Sequence, residues 1–218
     1  MQRSDEDMNA SLLFSWRFSD RRMRNRQLFK NTEGVNGVTT SIRKGPLSMD
    51  DKTMELFLRL SMNRMVDHHL PKIRHCLDAL NTQQLWEHEV NQTNSVGGIL
   101  LHIYEQIRRH TVMYEQGEAV AASGIENYFP DLEISPEELA QKVEEAFTLW
   151  QGAIQELALD ESKEIDMHSI YHLVEHTSYH LGQIVDRAQK KTGKAFKFVQ
   201  NGLNERNLRA IVERVSGT

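Results

Sequence analysis

One cysteine, Cys76, in 218 residues excludes a disulfide framework and fits a reducing, cytoplasmic compartment. Nothing beside it in sequence supports a nucleophile, so a buried structural thiol is expected. Only four prolines interrupt the chain, and few runs alternate apolar with polar residues. Both features favour an all-α fold over a sheet. No run of eighteen apolar residues occurs, so no membrane span is expected. Positive charge is not in excess either: 26 Lys and Arg against 31 Asp and Glu leave a formal charge of −5. No general attraction to nucleic acid follows from that balance. Internal repeats and low-complexity tracts are missing as well.

What is present falls into two parts. Residues 1–48 carry nine Lys and Arg against five Asp and Glu, with a basic run from Arg17 to Met23-Arg24. Gly34, Gly37, Thr39, Thr40, Ser41 and Gly45-Pro46 follow, a linker-like composition. The expectation is a disordered basic extension, or a stretch upstream of a start at Met49. An organelle-targeting segment competes with that reading, although Asp5, Glu6, Asp7 and Asp20 count against it. A nucleic-acid arm is the third reading. Residues 49–218 are long enough to bury a core and carry the fold.

Within 49–218 the apolar spacing predicts four long helices. The first spans about Asp51–Leu80 with Leu56, Leu60, Met65, Ile73, Leu77 and Leu80 as core candidates, bending at Pro71 without a break. Trp86 follows and is expected to plug one end of the core. The second starts at Asn94-Ser95, a good cap, and ends near Gly117. Its apolar stripe is Val96, Ile99, Leu100, Ile103, Ile107, Thr111 and Tyr114. Gly97-Gly98 costs helix propensity, which predicts close approach of a neighbouring helix. A polar loop over 117–134 leads to Ser135-Pro136-Glu137-Glu138, a capping serine, a first-turn proline and a third-position glutamate. The third helix continues through Trp150 to Leu157; the fourth ends at Gly193. A short amphipathic helix over about Asn204–Val215 closes the chain. Four such helices predict an up-down-up-down bundle with a short extra C-terminal helix, in which the second and fourth run parallel.

Met167–Lys190 holds four of the ten histidines, at 168, 172, 176 and 180. Residues four apart share a helix face, so neighbouring imidazoles in this series can bind one ion. Taking Ile170 as the centre of the apolar stripe, His180 lies about 80° and His176 about 120° away, while His168 and His172 face outward. His176 and His180 are therefore the pair at the core boundary, where two half-buried histidines without a ligand are an equal alternative. On the second helix His102 has the same offset of about 120°, and His110, nearer the core, is its rival; spacing does not choose between them. His68, His69 and His75 have no partner at metal spacing and read as surface or packing residues.

The segments Ser95-Val96-Gly97-Gly98-Ile99-Leu100-Leu101-His102-Ile103 and His176-Thr177-Ser178-Tyr179-His180-Leu181-Gly182-Gln183-Ile184 resemble the DinB-like (YfiT-like) metal-binding bundle superfamily. Leu70-Pro71-Lys72-Ile73 and Trp86 resemble one uncharacterised branch of it, and the likeness spans about residues 50–190. It departs from the branch at Gly98 and at Tyr104-Glu105. The resemblance implies His102, His176 and His180 as metal ligands and sets His110 aside.

Three imidazoles with an open position suit Zn²⁺ or Ni²⁺, with Fe²⁺ or Mn²⁺ as further choices. Characterised relatives include transferases that use low-molecular-weight thiols, so the leading expectation is a metal-dependent thiol S-transferase. Arg108, Arg109 and Arg187 are then candidates for the thiol's carboxylates. The alternatives are a hydrolase with Glu105 or Glu175 accepting the proton, or a metal-binding stress-response bundle without catalysis. The expected partners are a small-molecule substrate and a second copy in a homodimer, with no nucleic acid and no membrane.

Overall fold

The computed structural model describes residues 49–88, 94–117, 124–160 and 163–215, all within the unit Leu47–Thr218. The expectations for residues 1–48 lie outside the described residues. Every regular element among those described is helical: α1 (Met49–Met62), a π-helical segment (Asn63–His69), α2 (Leu70–Ala79), α3 (Thr82–Trp86), α4 (Val96–Gln116), a 3₁₀ turn (Ile125–Asn127), α5 (Pro136–Leu159), α6 (Met167–Thr192) and α7 (Glu205–Val215). No described helix is long and apolar enough to cross a membrane.

Local chemistry accounts for the ends of the long helices. Ser95 Oγ accepts the Gly98 N–H at 2.9 Å and caps α4, and Gly117, at φ 72°, closes it in the left-handed region. Ser135 and Glu138 form a reciprocal capping box ahead of α5, with Pro136 in its first turn. Asp166 caps α6 by accepting the Ser169 N–H at 3.0 Å.

α1, the π segment and α2 run on without a loop, as expected around Pro71. The widened turn lies directly before the proline, whose ring would otherwise press on the carbonyl four residues back. Two core assignments in this stretch are corrected. Leu56 and Leu60 are 42% and 43% exposed, whereas Leu58 is buried. Within α1, Leu58 lies about 160° round the helix from both Leu56 and Leu60, so the face that buries Leu58 turns those two outward. Hydrophobicity alone misplaces them.

The helix directions differ from an up-down-up-down order. Ser178 pairs with His69 and Lys191 bonds the Glu87 carbonyl, so α6 runs parallel to the first helical stretch. Arg187 donates to the Asn94 carbonyl and Lys163 to the Tyr114 carbonyl, so α6 runs antiparallel to α4. The expected parallel pairing of these two is therefore corrected. Arg74 reaches Glu144 and Glu137 while Trp86 Nε1 donates to the Ile134 carbonyl, which sets α5 antiparallel to α2. The order is up, down, down, up. The connection from Gly117 to Ser135 is long enough to permit this order, since it need not close a hairpin. α2 and α4 each pack against both α5 and α6, and Trp150, Phe147, Leu100, Ile103 and Ile184 fill the space between them.

The two glycines opening α4 are explained by close approach, although not of a long helix. A Cβ on Gly97 would stand 2.3 Å from the Trp86 ring, and one on Gly98 would stand 3.2 Å from the Phe129 carbonyl. Trp86 is buried, as expected, against the mouth of α4. Ser95 Oγ also donates to Asp131 at 2.6 Å. The end of the long connection is thereby fastened to the start of α4.

Candidate metal centre

His102 projects from the second turn of α4, and His176 and His180 from successive turns of α6. Because α4 and α6 are antiparallel neighbours, the three rings meet between them. His102 Nε2 lies 3.3 Å from His176 Nε2, and His180 Nε2 lies 3.3 Å from the same atom. All three ligand atoms fall within 4.8 Å of one another. Two nitrogens bound tetrahedrally at about 2.0–2.1 Å from zinc stand about 3.3–3.4 Å apart, so the spacing fits one small divalent ion.

The protonation states suit a ligand set. His180 Nδ1 donates to Gln183 Oε1 at 2.9 Å, because an amide oxygen only accepts. The Nε2 lone pair of neutral His180 is thereby directed at the cluster. Burial pushes the His176 pKa down to about 4, helped by the fields of His180 and His102. His102 and His180 are lowered too, chiefly by burial. Neutral imidazole is the form that binds metal. The Nδ1 atoms of His102 and His176 are buried without a hydrogen bond, although the Ile125 and Tyr128 carbonyls lie near enough to favour protonation of His102.

The remaining sequence candidates occupy other places. His110 donates from Nδ1 to the Gln106 carbonyl at 2.9 Å and faces Tyr114, outside the cluster. His168 and His172 are exposed, although the His172 ring stands 5.7 Å from the His176 ring and so borders the cluster without joining its three nitrogens. Glu105 has both oxygens engaged: Arg108 Nε and Nη2 donate to it at 2.8 and 2.9 Å, and Arg109 Nε at 2.9 Å. Burial works to raise its pKa, but the two guanidinium groups outweigh it and hold the carboxyl below its ordinary value. Such a group is a weak base. Glu175 is exposed, about 100° round the helix from His176. Arg187 lies close enough for its charge to disfavour protonated His180. Cys76 is fully buried with its pKa raised to about 12 by burial, a structural thiol.

Three neighbours of the cluster are absent from the sequence-based site. Phe129 stacks on His102 with centroids 4.5 Å apart and planes 15° from parallel. The Glu126 carboxylate projects its field onto both His102 and His180. Gln183 orients His180. Only Gln183 carried a local signal, since three residues on it shares the face of His180. Phe129 and Glu126 arrive on the long connection, whose course depends on the helix directions.

No family model, curated protein or solved structure matches the chain. The DinB-like resemblance accordingly rests on the residues quoted for it.

Proposed function

We propose that the chain is a DinB-like protein that binds one divalent metal, Zn²⁺ or Ni²⁺ by preference, through His102, His176 and His180. The observation that carries this reading is the pair of 3.3 Å contacts between imidazole nitrogens on α4 and α6. A bound ion supplies Lewis acidity and an anchoring charge for an anion. The protein's own residues do the rest: three neutral nitrogens hold the ion, Gln183 orients His180, and Phe129 shields His102 from water.

The finer reading is a metal-dependent transferase that takes a low-molecular-weight thiol and delivers it to an electrophilic small molecule. A thiolate is a soft anion suited to a nitrogen-ligated zinc or nickel ion. The hydrolase reading is the weaker of the two, since Glu105 is already held by Arg108 and Arg109. Those arginines are held by a carboxylate, whereas Arg187 donates to a neutral carbonyl, that of Asn94, and its charge reaches His180, which makes it the cation offered to a thiol's carboxylate. A reducing, cytoplasmic setting and a homodimer belong to the same proposal, with no nucleic acid and no membrane as partners.

The test is to load the full chain with Zn²⁺ or Ni²⁺ and to follow consumption of an electrophile such as 1-chloro-2,4-dinitrobenzene with glutathione, bacillithiol or mycothiol. Turnover that needs both metal and thiol, and that is lost in His180→Ala, supports the transferase. Stoichiometric metal without turnover leaves a binding bundle.

A further inference from the structure

The opposite side of α6 carries a second cluster that the metal reading does not use. Ser178 lies about 160° round the helix from both His176 and His180. There it touches the π segment, at the edge of a solvent-open cavity of about 480 Å³. Leu181, Val185 and Phe198 form the apolar wall, and His68, His69, Lys72 and Ser178 the polar one.

The polar wall is a hydrogen-bonded chain of fixed direction. Lys72 Nζ can only donate, and it stands 2.7 Å from His68 Nε2. His68 therefore keeps its proton on Nδ1 and donates it to His69 Nδ1 at 3.1 Å. His69 in turn donates from Nε2 to Ser178 Oγ at 2.8 Å. The Ser178 hydroxyl donates to the Val174 carbonyl at 2.9 Å, which requires the same sense from the far end. Both ends agree on one tautomer for each histidine. Burial pushes His68 down to about 4 and His69 to about 3, so both stay neutral.

The chain uses one Lys72 proton. Among the described residues no carboxylate pairs with this half-buried ammonium. Glu205, whose charge reaches it, is held by Arg64 at 2.7 and 2.6 Å. Asp186, on the cavity wall, is bonded to Lys190 at 2.6 Å. Phe198 lies beneath the ammonium at 5.4 Å. Burial lowers the Lys72 pKa, the mark of a cation short of water. A partly desolvated cation with donors to spare beside an apolar wall is matched by an anion with an apolar body. One positive charge, with Asp186 nearby, favours a monoanion over a dianion.

We propose that this cavity is a second ligand site, for a small organic monocarboxylate whose carboxylate meets Lys72 and whose apolar body lies against Leu181, Val185 and Phe198. It is independent of the metal reading, and the test uses the full chain stripped of metal. Benzoate, benzamide and inorganic phosphate would be titrated with calorimetry and amide chemical shifts as readouts. Benzoate should bind saturably, at least tenfold more tightly than benzamide or phosphate. Lys72→Met should weaken benzoate at least tenfold. Gly182→Leu gives a second variant, since a Cβ there meets nothing within 4 Å and leucine favours a helix. Its side chain would occupy the cavity and should also abolish binding. Equal binding of benzamide or phosphate, or undiminished benzoate binding by either variant, would overturn the proposal.

Discussion

His102 and His176 stand 74 positions apart in the chain, yet their Nε2 atoms are 3.3 Å apart. His176 Nε2 also stands 3.3 Å from His180 Nε2. A neutral His176 carries one ring N–H, which can bridge only one of the two contacts, and burial disfavours a second proton on His102 or His176. One cation bound by all three nitrogens would satisfy both contacts at once.

If Gln183 sets the His180 tautomer, Gln183→Leu should weaken zinc affinity by about 10–100-fold, the usual effect of losing a partner behind a ligating histidine. Competition with a chromophoric chelator would measure it. Unchanged affinity would mean that the 2.9 Å bond to Gln183 does not orient the ring.

Phe129 should matter to stability as well as to the site. Losing its stacking on His102 in Phe129→Ala should cost about 1–3 kcal/mol in urea unfolding. A cost near zero would show that the ring does not pack there in solution.

The glycines give opposed signs. Gly97→Ala should destabilise, because its Cβ would meet the Trp86 ring at 2.3 Å and overpacking costs about 1–3 kcal/mol. That exceeds the helix-propensity gain of about 1 kcal/mol. Gly152→Ala in α5 meets nothing within 4 Å and should gain up to about 1 kcal/mol. Thermal melts of the two variants should move in opposite directions.

Acid should loosen the fold through its buried histidines. The pKa of His69 is about 3 and that of His176 about 4 in the folded chain, against about 6.5 unfolded. The unfolded chain takes up protons first, so stability is full above about pH 6.5 and falls as pH drops toward 4. For His69 the slope approaches about 1.4 kcal/mol per pH unit. Denaturant midpoints should fall from pH 7 to pH 5, and His69→Gln should flatten the profile. A flat profile in the parent chain would contradict the burial of these rings.

Much of the helix plan was legible because helix ends are local chemistry. Ser95, the Ser135-Pro136-Glu138 box, Gly117 and Gly193 mark their termini in the sequence. The His176–His180 spacing was legible for the same reason, as one turn of one helix. Helix direction was not, since it depends on how the Gly117–Ser135 connection is routed, and no periodicity records that. Phe129 and Glu126 were missed with it. The relay from Lys72 to Ser178 was hidden differently: it joins adjacent histidines in a π turn to a serine on α6, a pairing that no α-helical spacing predicts.

The central claim is tested most directly by metal stoichiometry. The full chain, stripped and then dialysed against limiting Zn²⁺, would be analysed by elemental analysis beside His180→Ala, His102→Ala and His168→Ala. The account predicts one zinc per chain in the parent and in His168→Ala, and none retained in the other two. Equal zinc in all four, or zinc lost only with His110→Ala, would contradict it.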